Sequence, residues 1–474
     1  MPETPHKIYF IAIGGTGMAP LACLLKEKGH HVDGVDGPLY PPMSTLLADA
    51  GIEPRVGYEP GNLLGQDAAK PDLVIVGNAV PKHNPEVLAA EQLGLPRLSM
   101  PQALARFFLS ERRPLVIAGT HGKTTTTTIA SWVYTSCNTD PGYLIGGLPL
   151  DMDQSFRVGT GPRFIIEGDE YNASYFDRGP KFLHYQPQTL ILTSAEYDHA
   201  DLYPDPESLF DAFRRLVALV PKDGLVVAYG DAPKVREIAA EAEAKVLFYG
   251  LGEENDIRPL DLETDADGSR FRLEDGRRKV KVSLQVPGEH NLLNALAVWA
   301  VARHDGLAAK DVGAALASFR GVKRRLEELG NADGVTIVDD FAHHPTAVGK
   351  SLGGLRQRYP DGRVMALYEP RSLTAGRSFL FDEYRQAFQE ADAVLFAPVF
   401  HAERLTDDER IDLEELSRQL NKDGVESIAC DSIDEMLGKA LAWARPGDVL
   451  ATMSSGSFEG LPHRLLGSLR EEAA

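Results

Sequence analysis

Cysteine is scarce: Cys23, Cys137 and Cys430 are the only three in 474 residues, far apart and without a CxxC pair. That spacing argues against a disulfide framework or a cysteine zinc site and suits a reducing compartment. Each reads as a small buried hydrophobe. Long apolar runs are also missing, none approaching the roughly 18 residues that a spanning helix needs. Met1–Lys7 leads into a strand-like segment with no apolar signal stretch, so a cytoplasmic location is expected. Positive charge is in deficit, with 49 Lys and Arg against 69 Asp and Glu and a net charge of −20. This balance argues against nucleic acid or an anionic membrane as a partner. It leaves a phosphorylated ligand open, since a nucleotide site needs only a few local cations and aimed backbone N–H groups. Internal repeats and low-complexity segments are absent as well.

What is present is the composition of an ordinary folded protein, 43% hydrophobic and 25% charged, long enough for about two to four domains. Three stretches alternate short β-rich runs with helical periodicity, the pattern of doubly wound parallel sheets. The first, residues 1–110, holds strand-like segments at residues 7–13, 31–36 and 72–78, with a helix from Met18 to Gly29. Ser110–Pro114 reads as a linker. The second, residues 111–322, has strands at 115–119, 163–167, 189–193 and 224–229, and helices at 124–136 and 208–220. Within it, residues 260–286 look like a β-rich insertion with turns at Asp267-Gly268 and Asp275-Gly276. A helix following Gly288 to Asn294 closes this unit. The third, residues 323–474, has strands at 336–340, 363–369, 393–398 and 448–453.

Two glycine loops stand between a strand and a helix. Gly119-Thr120-His121-Gly122-Lys123-Thr124 has the setting of a phosphate-binding loop. Its glycines permit tight turning, its N–H groups and the helix start face phosphate oxygens, Lys123 neutralises them, and Thr124 offers a magnesium ligand. The spacing GxxGKT is shorter than the general GxxxxGK[ST] pattern. Gly14-Gly15-Thr16-Gly17-Met18 is a partial dinucleotide fingerprint, with Asp36 ending the next strand and Pro20 where a third glycine would stand.

A Mg·ATP site needs a carboxylate beyond the loop threonine, and Glu167, Asp169 and Glu170 compete for that role at one strand end. His199, in Glu196-Tyr-Asp-His-Ala-Asp201, is a candidate metal ligand or hydrogen-bonding histidine. Asp339-Asp-Phe-Ala-His-His-Pro345 packs two acids and two histidines together, and Arg371 in Glu369-Pro-Arg-Ser372 is a natural bidentate carboxylate clamp.

The ordered series GTHGKTTT, EGDE, DHAD, GEHNLLN, KRRLE, DDFAHHPTA and EPRS resembles the Mur ligase family, the ATP-dependent amide-bond ligases of peptidoglycan synthesis, over nearly the whole chain. The resemblance implies three α/β domains: a Rossmann-like UDP-sugar domain, a central P-loop ATPase domain and a Rossmann-like acceptor domain. It implies Mg2+ on Thr124, Glu167 and His199, which selects Glu167 among the three acids. It implies ATP contacts from Gly119 to Thr125, from His290, Asn291 and Asn294, and from Arg325 and Asp340. It places the UDP diphosphate on Gly14 to Met18, with Asp36 and Asn78 nearby. Lys123, Glu167, His199, His343 and His344 are the implied catalytic groups. Within the family, Tyr40-PPMSTLL-Leu47, Lys181-FLHY-Tyr185 and the EPRS motif most resemble the muropeptide-recycling branch. That branch joins UDP-N-acetylmuramate to the tripeptide L-alanyl-γ-D-glutamyl-meso-diaminopimelate, and Arg371 with Ser372 is then expected to read a peptide carboxylate. The alternatives are L-alanine as acceptor and, in another class, a catalytically silent sensor of UDP-muramyl ligands. Three departures stand out: Ser194 where many relatives place asparagine, Arg214 near a lysine carbamylated in several members, and Leu373-TAGRS-Ser378. No carbamate is expected here.

Overall fold

β-branched and aliphatic runs of four to six residues become buried parallel strands, because helices cover both faces and no face need be polar. The structure, a computed structural model, describes residues 6–64, 69–200, 202–275 and 278–472. Three main sheets follow one another along the chain.

The first holds β1 (Lys7–Ile11), β2 (His31–Asp36), β3 (Arg55–Val56), β4 (Leu73–Val76) and β5 (Arg97–Ser99), all parallel, in the order β3-β2-β1-β4-β5. The helix after β1 runs Met18–Glu27, and its Met18–Leu25 face is buried. The expected linker at Ser110–Pro114 is shorter than the charge pattern suggested. Arg113 and Pro114 already belong to β6 (Arg113–Ala118), because Pro114 at the strand start costs no ladder bond that matters there.

The second sheet adds β7 (Gly142–Leu144), β8 (Phe156–Arg157), β9 (Arg163–Gly168), β10 (Thr189–Leu192), β11 (Leu225–Tyr229) and β12 (Lys245–Tyr249), in the order β12-β11-β10-β6-β9-β7-β8. Only β8 runs antiparallel to its neighbour. β6 lies in the middle with β9 on one side and β10 on the other, all parallel, so the order in which strands are added reverses around it. Ligands of open α/β sheets bind at that crevice, outside the carboxyl ends. The insertion is a separate antiparallel sheet of β13 (Leu260–Asp265), β14 (Gly268–Asp275) and β15 (Arg278–Leu284). Gly276 of the second turn signal, like Asp201, lies outside the described residues.

The third sheet has β16 (Glu327–Ala332), β17 (Val335–Asp340), β18 (Val364–Tyr368), β19 (Ala393–Phe396), β20 (Glu426–Ala429) and β21 (Val449–Met453), in the order β16-β17-β21-β18-β19-β20. It is parallel apart from β16, an antiparallel edge. The architecture is the three-domain α/β one expected, and among the described residues no helix is long and apolar enough to cross a membrane. The central unit is pinned by a buried ion pair. Asp305, just beyond the helix Glu289–His304, accepts from Arg163 Nε at 2.7 Å, from a second guanidinium nitrogen and from the Tyr134 hydroxyl.

Candidate active site

The phosphate-loop candidate leaves β6 and opens the helix Lys123–Ser136. Gly119 has φ 131°, and a side chain there would stand 2.7 Å from the Ser194 amide nitrogen and closer still to Thr193. Only glycine lets the loop press against the end of β10. Gly122, at φ 81°, makes the turn into the helix, with Asn294 Oδ1 3.0 Å from where a Cβ would be. Asn294 therefore lies against the loop. Ser194, one of the departures, accepts from the His121 N–H at 2.9 Å, and the Thr193 hydroxyl donates to the His121 carbonyl at 2.5 Å. The loop is tied to β10 by side chains.

Two carboxylates then divide the work that the sequence left among three. Glu167, the last residue but one of β9, accepts from Thr124 Oγ1 at 2.9 Å and from the Gly146 N–H at 2.5 Å. Glu170, whose side chain is 1% exposed, accepts from Lys123 Nζ at 2.9 Å and lies 2.9 Å from His199 Nε2. Asp169 points elsewhere, to Lys181 at 2.6 Å. Burial opposes ionisation of Glu170, but Lys123 and His199 outweigh it and hold its carboxyl below the usual range. Burial would likewise lower Lys123, and Glu170, Asp169 and Glu167 overcome that and raise it. Glu167 differs: burial pushes it up, and its hydrogen bonds do not fully offset that. Glu170 also keeps one carboxylate oxygen, Oε2, buried and without a hydrogen-bond partner. A raised carboxyl and an orphaned oxygen beside a threonine hydroxyl and an imidazole fit a divalent cation, so these residues suit Mg2+. Glu170 is one of the three acids that the sequence offers, and its approach to both Lys123 and His199 depends on the turn after β9 and has no sequence signal.

His199 has φ 57°, and Arg324 and Leu326, on either side of Arg325, have φ 59° and 51°. Left-handed backbone at non-glycine residues costs on the order of 1 kcal/mol or more and tends to gather at functional sites. Arg325 packs over the Phe341 ring at 4.7 Å; burial lowers its pKa, and the charges of Asp340 and Glu167 only partly offset that. Asp340 itself accepts from the N–H groups of Leu326 at 2.6 Å and Ala342 at 2.7 Å. Asn291 donates to the Pro287 carbonyl at 2.7 Å. His290 is partly buried, and desolvation with the nearby cations Lys350 and Arg325 pulls it down to about 4.

The third sheet brings His343 and His344 over the loop. The His121 and His344 rings are 4.7 Å apart, and Thr346 donates to Glu196 Oε2 at 2.5 Å. His343 Nδ1 lies 3.0 Å from the Phe341 carbonyl, while the His343 carbonyl accepts from Tyr368 and Tyr384. Burial lowers both imidazoles, His344 to about 4, so both are neutral near pH 7. Asp198 resists its own burial through the charge of His199 and stays ionised down to about pH 2. Unfolded histidine titrates near 6.5. Below that value the unfolded chain binds protons that buried His344 refuses, so its contribution falls as pH drops from about 6.5 to about 4. His199, raised by Glu170 and Asp198 against its burial, works in the opposite sense. In urea titrations, His344→Gln is expected to flatten the acid-side loss of stability across that window; an unchanged slope would contradict the burial of a neutral ring.

The remaining expected residues fall at two rims. Gly15 accepts from the N–H groups of Met18 and Ala19 at 2.9 Å, Thr16 is exposed, and Gly17 caps the helix start. Asp36 accepts from the Gly14 N–H at 2.7 Å, the Gly37 N–H at 2.8 Å and Tyr58 Oη at 3.0 Å, so it shapes this loop. Asn78 is exposed just past β4, at the same sheet end. Beyond β18, Arg371 lies over the Phe400 ring at 3.8 Å, 3.4 Å from Glu369, against Gly456, where a side chain would strike the guanidinium. Ser372 accepts from the Ala375 N–H at 3.0 Å. Arg214 sits on the helix Pro206–Val217, paired with Glu207, Asp211, Glu237 and Glu241.

Comparison with known proteins matches all three units to models of one family: residues 7–112 to its catalytic domain, 117–302 to its middle domain and 324–456 to its glutamate ligase domain. The chain is 38% identical to the UDP-N-acetylmuramate–L-alanyl-γ-D-glutamyl-meso-2,6-diaminoheptandioate ligase of Escherichia coli K12, covering 98% of this chain and 99% of that one. It is 34% identical to the UDP-N-acetylmuramate–L-alanine ligase of Halorhodospira halophila, over 98% and 94% of the two chains. Among solved structures, a murein peptide ligase from Psychrobacter arcticus superposes with a TM-score of 0.72 at 32% identity, covering 98% and 99%.

Proposed function

The chain belongs to the Mur ligase family, and on that premise we propose that it joins UDP-N-acetylmuramate to the tripeptide L-alanyl-γ-D-glutamyl-meso-diaminopimelate with ATP. The observation that carries the chemistry is the pair of contacts Lys123–Glu170–His199 and Thr124–Glu167 at the switch point of the central sheet. An oxygen of the lactyl carboxylate attacks the γ-phosphorus of ATP, the bond to ADP breaks, and an acyl phosphate forms. Lys123 passes from Glu170 to the transferring phosphoryl oxygens, and the loop N–H groups stabilise the charge spread over them. Mg2+, held by Thr124, Glu167 and His199 with Glu170 beside them, would neutralise phosphate charge when bound. The amine of the acceptor then attacks the acyl carbon, phosphate departs, and the nitrogen loses a proton. Neutral His343 and His344 stand ready to position that amine or take its proton. Arg325 and Asp340, on the acceptor side, face the nucleotide and help exclude water, against which an acyl phosphate must be protected.

The choice of acceptor rests on the full-length likeness to the E. coli tripeptide ligase and on Arg371. Its guanidinium is stacked on Phe400 and only loosely paired with Glu369, which leaves donors for an incoming carboxylate. Charge-assisted hydrogen bonds of this kind contribute about 1.5–3 kcal/mol. Arg371→Ala is therefore expected to lower kcat/KM for the tripeptide by about 10- to 100-fold, leaving the KM for UDP-N-acetylmuramate nearly unchanged. An equal loss for both substrates would remove Arg371 from the acceptor site. The reading as a whole is tested by phosphate release with UDP-N-acetylmuramate, ATP and Mg2+ against tripeptide or L-alanine. Turnover with the tripeptide is expected; preference for free alanine overturns the assignment.

A further inference from the structure

His121, Glu196 and His344 come from three separate places: the phosphate loop, the segment after β10, and the turn before the helix Pro345–Arg358 of the acceptor domain. Their donor atoms all lie within 4.8 Å of one another. His121 Nε2 is buried without a hydrogen-bond partner and stands 3.4 Å from Glu196 Oε2. That separation is about the edge of a tetrahedron with ligands roughly 2.1 Å from its centre. Thr346 holds the Glu196 carboxylate from outside through its hydroxyl, as the outer partners of metal ligands do. None of the three belongs to the Thr124, Glu167 and His199 set, and the nitrogen-rich donors separate the two groups chemically. Magnesium prefers oxygen donors in octahedra, whereas two imidazoles and one carboxylate suit a borderline transition metal with a coordination position left open.

We propose that His121, Glu196 and His344 form a second, transition-metal site, of the Zn2+ type, that bridges the phosphate loop and the acceptor domain. A metal there takes two ligands from the central unit and one from the acceptor domain, and so fastens the acceptor sheet over the loop. No bond is made or broken in the protein; the ion replaces a ring–ring contact and a long ion pair.

The test is equilibrium dialysis of the full chain against ZnCl2 in excess Mg2+, with His121→Gln, Glu196→Gln, His344→Gln and His199→Gln beside the native protein. The native chain is expected to retain one Zn2+. Losing a direct ligand should cost more than the 10- to 100-fold typical of outer partners, so Glu196→Gln and His344→Gln should weaken binding at least about tenfold. His199→Gln should bind as the native chain does. Native-like circular dichroism in Glu196→Gln, which keeps the side-chain shape, separates lost ligation from lost folding; should that variant unfold, His121→Gln gives the same reading. With Co2+ in place of Zn2+, the intense visible bands of a four-coordinate ion should appear in the native protein and vanish in these variants. Absence of retained Zn2+ in the native chain overturns the proposal. So does native-like Zn2+ binding by the three ligand variants, or loss confined to His199→Gln.

Discussion

Lys123→Ala is expected to abolish ligation, lowering kcat by about a thousandfold or more, while UDP-N-acetylmuramate still binds with near-native affinity. Removing a single transition-state hydrogen-bond donor costs about 100- to 1,000-fold, and Lys123 adds a full charge to that role. Its present contacts explain why the loss would be specific. The ammonium bonds to the Gly119 carbonyl at 2.6 Å, the Thr120 carbonyl at 3.2 Å and Glu170 at 2.9 Å, all within the loop or at the end of β9. Among the described residues, none of these partners is hydrogen-bonded to the Gly14–Met18 loop of the first sheet. The variant also leaves Glu170 buried with His199 as its remaining close cation, so its carboxyl should rise toward the ordinary range. Stopped-assay phosphate release and calorimetric titration with the UDP-sugar separate the two effects. Full activity in the variant would remove the loop from phosphoryl transfer.

The second large effect concerns the scaffold. Asp305→Ala is expected to destabilise the central unit by about 3–5 kcal/mol, the usual cost of stranding one partner of a buried ion pair. Arg163 and Asp305 are only 4% and 10% exposed, so water cannot take over the lost contact. The substitution strips the guanidinium of two donors' worth of acceptor and takes the Tyr134 hydroxyl's partner with it. Arg163 begins β9, the strand that carries Glu167, and Asp305 follows the helix that carries Asn291 and Asn294. The pair thus fixes, from the far end, two elements that meet at the phosphate loop. Urea unfolding measures the loss, and a change below about 1 kcal/mol would contradict the burial.

The site was legible in the sequence where chemistry is local. Lys123 and Thr124 announce themselves because a strand, two glycines and a helix start must be consecutive to cradle phosphate. Strands such as Val335–Asp340 and Val449–Met453 were readable because both faces are buried and each has a short run of β-branched and aliphatic residues. β16 escaped notice, since Glu327-Glu-Leu-Gly-Asn-Ala at a sheet edge has neither alternation nor an apolar run. β12 was likewise passed over, being a half-buried edge of the central sheet. Glu170 escaped for a different reason. Three acids within four residues differ only in where the turn after β9 aims them, and that aim is set by Lys123 and His199, 47 and 29 residues away. The meeting of His121, Glu196 and His344 is more distant still, since it exists only once the acceptor domain is docked.

The central claim is that a carboxylate is activated by phosphorylation at the Lys123 loop before the amine attacks. UDP-N-acetylmuramate labelled with 18O in its lactyl carboxylate tests this directly, by mass analysis of the phosphate released during ligation. The account predicts one 18O atom in each phosphate, carried over from the acyl phosphate when the amine expels it. Phosphate free of label, with one 18O kept in the amide carbonyl and the other lost to water, would contradict it.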